Sequence, residues 1–203
     1  MSRHRLVGPI RDLHLKRKFQ FEFLKEQGLK PHHYLLDVGC GTLRGGIPLI
    51  EYLDEGHYYG TEVREHVLEE GRSELQEAGL ADKHPVLVAT EDFDVGDETK
   101  FDFLWAFSVL IHLTDELLDV CFAKVSHQLK EDGVFYANVN LAERAPGKWE
   151  EFPVMAHTLD FYKEVGARHG LVVEDIGIIA EYGHVTGSQH QDNQHMLKIT
   201  LDH

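Results

Sequence analysis

A short, largely apolar run near residue 35 ends in glycines. Leu35-Leu36-Asp37-Val38 leads directly into Gly39-Cys40-Gly41, and Gly45-Gly46 opens the helical pattern that follows. Glycines at the end of a buried strand let the backbone turn tightly and approach a ligand, and the next helix presents N–H groups that have no partner within it. Strand, turn, helix in that order is a nucleotide-type binding corner. A glycine pair after a strand is common by itself, but here a carboxylate, Glu62, ends the second apolar strand 21 residues beyond Gly41. At that place a carboxylate can accept both hydroxyls of a ribose.

Strands and helices alternate along nearly all of the chain, the pattern of a parallel sheet flanked by helices. A first helix is expected from about Asp12 to Gln27, with Leu13, Leu15, Phe19, Phe23 and Leu24 approximating its buried stripe and Gly28 stopping it. Strands are expected over 34–38, 57–62, 86–89, 101–107 and 134–139, with helices between them near 45–54, 65–78 and 114–129, the last capped by Thr114. The ten or so residues between the third and fourth strands leave room for a short helix or none. Lys130-Glu131-Asp132-Gly133 reads as a turn into the fifth strand. Beyond it come a loop containing Pro146, Gly147 and Pro153, a helix over 159–169, a strand over 171–176 and a last strand over 195–201. The final two strands are joined by a polar, glycine-containing segment rather than a long helix, which predicts an antiparallel finish to the sheet.

Composition sets the class. At 203 residues with 42% apolar side chains the chain has one domain's length and enough apolar surface for a sizeable core. Residues 1–203 are therefore expected to form a single domain, with helix 12–27 as its cap. The net charge of −15 argues against nucleic acid as a partner, because phosphate contacts need a concentrated basic footprint. One stretch runs the other way: Arg3, Arg5, Arg11, Lys16, Arg17 and Lys18 face only Asp12 within residues 1–18. No run is long and apolar enough to cross a membrane, and two cysteines without a CxxC pattern suit a reducing, cytoplasmic setting. Oligomeric state leaves no mark in the sequence.

The glycine-loop residues resemble the class I S-adenosylmethionine-dependent methyltransferases, whose first motif runs apolar-apolar-Asp/Glu-x-Gly-x-Gly. Further matches follow in that family's order: Asp92-Phe93 after the third strand, Phe101-Asp102 with Ser108-Val109-Leu110-Ile111-His112-Leu113 around the fourth, and Leu129-Lys130-Glu131-Asp132-Gly133 before the fifth. The resemblance spans roughly residues 12–201. It implies a Rossmann-like three-layer α/β sandwich with a mostly parallel seven-stranded sheet and one antiparallel strand near the edge. The implied cofactor is S-adenosylmethionine. Gly39 and Gly41, with Cys40 between them, would line its methionine and ribose. Asp37 would order the loop or meet the amino group, and Glu62 would hold the ribose diol. Asp92 would take the adenine amino group, the Phe93 backbone would face the ring, and Phe107 or Ser108 would offer a carbonyl to the ammonium. The chain departs from the pattern at Leu43, which stands where the family usually has a third glycine.

Methyl transfer from a sulfonium is an in-line displacement, so the protein supplies alignment, a dry pocket and, for a hydroxyl acceptor, a base. His112 is the candidate base, because it follows the fourth strand and the carboxyl ends of such strands border the ligand crevice. The alternative is a histidine that only packs within its turn. His184, His190, Asp192 and His195 form the densest group of imidazole and carboxylate, but no HExxH or paired CxxC accompanies them and no metal is assigned. Selection of the acceptor falls to the first helix, where Gln20 could reach the cofactor, and to the loops 142–157 and 181–195. Trp149, Phe152, Met155 and Tyr162 could wall such a pocket or belong to the core. The expected activity is methylation of a small molecule at oxygen or nitrogen. The competing readings are a regulatory protein that binds S-adenosylmethionine or S-adenosylhomocysteine without catalysis, and a Rossmann dehydrogenase. The second lacks its third glycine, since Arg44 stands three residues after Gly41.

Overall fold

A computed structural model describes residues 3–8, 12–96, 98–142, 147–149 and 152–203; the side chains of His4 and Trp149 lie outside the description. The chain divides into two compact units, residues 1–97 and 98–203.

The first unit carries helix α1 (Leu13–Glu26), strand β1 (Leu35–Val38), helix α2 (Gly46–Tyr52), strand β2 (Tyr58–Glu62), helix α3 (Glu65–Glu77) and strand β3 (Val86–Ala89). Its strands lie in the order β3-β2-β1, and both pairings are parallel, with Asp37 beside Gly60 and Glu62 beside Ala89. β1 and β2 are buried along their whole length, so neither shows the apolar–polar alternation of a half-exposed strand, and the polar residues they carry, Asp37, Thr61 and Glu62, are buried with them. Between β3 and the next strand no helix occurs among the described residues, so the short connection is a loop.

The N-terminal basic stretch finds its partners inside this unit. Residues Arg3–Val7 form a 3-10 turn, and Arg3 meets Glu70, Glu74 and Glu77 on one face of α3 at 3.5, 3.4 and 2.5 Å. Arg17 adds a bond to Glu74 at 2.9 Å. Arg3 and Arg17 thus answer an acidic helix face, and Arg11 lies outside the described residues.

The second unit holds strand β4 (Phe101–Ala106), helix α4 (Asp115–Gln128), strand β5 (Leu129–Val139), a small hairpin of β6 (Gly147–Trp149) and β7 (Phe152–Val154), helix α5 (Leu159–Arg168), strand β8 (Leu171–Ile178), the short helix α6 (Gln189–Asp192) and strand β9 (His195–Leu201). The order is β4-β5-β9-β8; β4 and β5 are parallel and β9 is antiparallel to both its neighbours. The expected antiparallel finish is therefore present. Thr114 caps α4, accepting from the Leu117 N–H at 3.4 Å, and Thr158 caps α5 in the same way at 3.2 Å.

Two local expectations change. Lys130–Gly133 does not precede β5 but lies within it: Phe101 pairs with Leu129 and Phe103 with Val134, so the would-be turn is a wide bulge that pushes Glu131 and Asp132 into solvent. Lys130 closes it with an ion pair to Asp102 at 2.7 Å. The loop over 142–157 also contains the β6-β7 hairpin, whose three-residue strands are too short to show a period. With seven main strands, one of them reversed, and helices on the parallel connections, the chain has the mostly parallel α/β class that its sequence predicts.

Candidate active site

The glycine loop is built on positive backbone angles. Gly39 and Gly41 have φ of 71° and 58°, the left-handed region that a side chain disfavours. Leu43 adopts the same region at φ 55°, so it supplies the backbone bend of the missing third glycine despite its side chain. That side chain is wholly buried, and its atoms stand 3.0 and 3.2 Å from where a Cβ would be on Gly46 and Gly71. Two glycines elsewhere make room for one leucine here. Cys40 turns its sulfur toward Gly60, where an added Cβ would meet it at 2.9 Å, so the residue offers the loop backbone rather than thiol. Burial pushes that thiol well above its ordinary pKa, which disfavours the thiolate form.

Asp37 is buried at 4% exposure and takes a 2.6 Å hydrogen bond from the Tyr58 hydroxyl. Burial, with the neighbouring Glu62 charge adding, lifts its carboxyl to about 7, against the pull of the Tyr58 bond. Glu62 is equally buried, at 6%. Its Oε1 accepts from both the Arg64 backbone N–H and Nε, each at 3.1 Å, while Oε2 lies 3.9 Å from the Cβ position of Gly41. The carboxylate is thus held by one oxygen, with the other against the loop. Above both runs the N-terminal turn: Arg64 donates to the Leu6 carbonyl at 3.3 Å, and Val7 Cγ1 stands 2.7 Å from that same Gly41 position.

Arg44 carries no signal in the linear reading beyond standing in place of a glycine, yet the fold buries it to 8% exposure. Its Nη1 has no hydrogen-bond partner among the described residues, and burial draws its pKa down to about 10. A buried guanidinium nitrogen without a partner fits a carboxylate or another anion. Gln20 is buried too; its amide donates to the Lys16 carbonyl at 3.1 Å and fills the space over Gly45. Asp92 is exposed, its Oδ1 accepting from the Thr90 hydroxyl at 2.6 Å and the Asp94 N–H at 3.3 Å, and Phe93 beside it has φ 64°.

In the second unit, Phe107 stacks on Trp105 at 5.8 Å and meets the edge of His184 at 5.4 Å. Ser108 is another non-glycine residue in the left-handed region, at φ 60°, and its N–H donates to Asn138 Oδ1 at 2.7 Å. His112 ends the turn Leu110–His112, half-buried, with Nδ1 2.7 Å from the Pro153 carbonyl and Phe152 beside the ring at 5.9 Å. A carbonyl can only accept, so Nδ1 carries the proton and the lone pair is left on Nε2. That is the tautomer a general base needs.

Tyr162 is wholly buried and belongs to the core, whereas Phe152 and Met155 are half-buried beside the turn that carries His112. Trp149 places its backbone in β6, and its side chain lies outside the described residues. His184 and His195 go to different carboxylates, Asp192 at 3.8 Å and Asp175 at 2.8 Å. No helix among the described residues is long and apolar enough to cross a membrane.

A methyltransferase-domain family model matches residues 36–135, from within β1 to the part of β5 beyond its bulge. An N-terminal Xaa-Pro-Lys N-methyltransferase of Bos taurus is 28% identical over 137 residues, 65% of this chain, and the chain spans 59% of that relative's length. Among solved structures, an S-adenosylmethionine-dependent methyltransferase from Clostridium acetobutylicum superposes with a TM-score of 0.72 at 15% identity, covering 98% of this chain and 96% of the other. A magnesium protoporphyrin IX methyltransferase from Synechocystis with the cofactor bound gives 0.71 at 16% identity, covering 98% and 89%. A glycopeptide N-methyltransferase gives 0.70 at 16% identity, covering 92% and 90%. These likenesses make the fold the Rossmann-like three-layer sandwich that the motifs imply. The glycine loop and the strand-end carboxylate both lie in the segment that the methyltransferase-domain model matches, and the known proteins this chain is similar to, in sequence and in fold, are S-adenosylmethionine-dependent and other methyltransferases.

Proposed function

We propose that residues 1–203 act as one domain that transfers the methyl group of S-adenosylmethionine to an oxygen or nitrogen of a small-molecule acceptor. The observation that carries this reading is Glu62: a buried carboxylate at the end of β2, fixed through one oxygen by Arg64 and set with the other against Gly41. A group held so is suited to a ribose diol, and its fixation leaves little side-chain entropy to lose on binding.

The first unit's residues match the rest of the cofactor by chemistry. Gly39, Cys40 and Gly41 present backbone, Asp37 braces the loop through Tyr58, and Arg44 Nη1 suits the carboxylate of the methionine end. Asp92 and Phe93 are assigned to the adenine, and Phe107 and Ser108 to the ammonium. The bound cofactor supplies an electrophilic methyl on a sulfonium. His112 takes the proton that a hydroxyl or ammonium acceptor gives up, at Nε2, because Pro153 keeps the other nitrogen protonated. A base held in that tautomer favours catalysis over a binding-only role.

Thermal-shift titration with S-adenosylmethionine, S-adenosylhomocysteine and NADH tests the cofactor, and the first two alone should raise the melting temperature. Stabilisation by NADH instead would discard the assignment. Incubation with labelled methyl donor and a fractionated cell extract, read by product mass, tests the acceptor; label only in protein or nucleic acid would exclude the small-molecule class.

A further inference from the structure

Four hydrogen bonds form one directed chain across the strand ends of the second unit. The Ser108 N–H donates to Asn138 Oδ1 at 2.7 Å, Asn138 Nδ2 donates to Gln194 Oε1 at 2.7 Å, Gln194 Nε2 donates to Asn140 Oδ1 at 3.1 Å, and Asn140 Nδ2 donates to the Met155 carbonyl at 3.1 Å. Asn138 is wholly buried and Gln194 is 4% exposed. The chain begins at a group that can only donate and ends at one that can only accept, so the sense of all three amides is fixed. Rotating any single amide creates a donor–donor and an acceptor–acceptor clash.

The two ends matter. One holds Ser108 in its left-handed conformation, and the other holds the segment whose Pro153 carbonyl sets the His112 tautomer. The same segment is tied again to the turn by the Met155 N–H, which donates to the Ile111 carbonyl at 2.7 Å. Gln194, contributed from just before β9, is the central link.

We propose that Gln194 is a positioning residue for the methyl-transfer site: through Asn138 and Asn140 it locks the Ser108 turn and the β7 exit in one arrangement. This rests on the cofactor assignment of Ser108 made above. Because a carboxylate cannot donate, Gln194→Glu breaks the chain when ionised and restores it when protonated, whereas Gln194→Met breaks it at every pH.

The test measures S-adenosylhomocysteine affinity by calorimetry for wild type and both variants between about pH 5.5 and 9, alongside Ser108 amide exchange. Gln194→Met should bind about 10-fold more weakly throughout, the effect of one lost buried bond. Gln194→Glu should approach wild type as pH falls; if burial keeps it neutral it should match wild type throughout, which equally supports the chain. A folded Gln194→Met that binds like wild type overturns the proposal, as does an equal, pH-independent loss in both variants, since shape alone would then matter. Should Gln194→Met not fold, Asn140→Leu at the half-buried end replaces it under the same criteria. If wild type itself does not bind the probe, the cofactor reading falls instead. The positioning role is then judged on Ser108 exchange, which must quicken in Gln194→Met or the proposal fails.

Discussion

Leu43 and Gly71 are shaped to one another. A Cβ on Gly71 would stand 3.2 Å from Leu43 Cγ, 3.1 Å from the Gly41 carbonyl oxygen and 3.4 Å from the Thr42 carbonyl carbon. The leucine that replaces the family's third glycine keeps the backbone bend and sends its side chain into α3, so it does not obstruct the loop. Gly71→Val should therefore press on the loop itself, lowering stability by about 1–3 kcal/mol and weakening S-adenosylmethionine binding. Leu43→Gly should also destabilise, because the cavity left by a fully buried leucine costs about 2–5 kcal/mol while relief of the left-handed strain returns about 1–3 kcal/mol. Denaturant unfolding and calorimetry measure both; unaltered binding in Gly71→Val would separate α3 from the site.

Glu62→Ala removes the carboxylate assigned to the ribose. Charge-assisted bonds of this kind are worth about 1.5–3 kcal/mol, so affinity for the cofactor should fall about 10- to 100-fold. A variant that binds as tightly as wild type would take Glu62 out of the site.

Arg44→Met bears on both binding and folding. Nη1 of the buried guanidinium has no hydrogen-bond partner among the described residues, while the buried Asp12 carboxylate attracts the group, so removal should cost some stability by leaving Asp12 without its cation and should lower affinity for S-adenosylmethionine by about 10-fold or more. Decarboxylated S-adenosylmethionine should bind wild type and variant alike. A loss of stability with no loss of affinity would mark Arg44 as structural.

Asp37 gives the fold a pH dependence of predictable sign. Its carboxyl titrates at about 7 in the folded chain against 3.8 for an ordinary aspartate, so between those values the folded state binds more protons than the unfolded state. Stability is therefore drawn down as pH rises through that window, by at most about 1.4 kcal/mol per pH unit, and levels off above it. Asp37→Asn keeps an acceptor for Tyr58 and should flatten this slope. Parallel stability profiles for the two proteins from pH 4 to 8 would refute the assignment.

His112→Ala should slow transfer to a hydroxyl acceptor by about 10²–10⁴-fold while cofactor affinity changes little, the separation expected of a base. His112→Gln, which can still donate to the Pro153 carbonyl, should be equally slow if proton abstraction is what is lost. Undiminished turnover in either would return His112 to a packing role.

Much of this was legible in the linear chain, because periodicity and glycine placement are local. Strands 86–89 and 195–201 lie where their patterns put them, the reversed last strand follows from a connection without a long helix, and the loop at 39–41 is glycine for backbone reasons alone. Other features depend on residues far apart. The bulge at Lys130–Gly133 exists because Phe101 pairs with Leu129 while Phe103 pairs with Val134. Leu43 is harmless because of Gly71, and Arg44 becomes an anion-ready group only once the fold buries it. The sense of the Asn138–Gln194–Asn140 amides is set by a backbone donor at 108 and a backbone acceptor at 155. Local residue order is enough to say which segments turn, pair and bury; which polar atoms meet follows from the folded chain, since a hydrogen bond depends on distance in space and not along the chain.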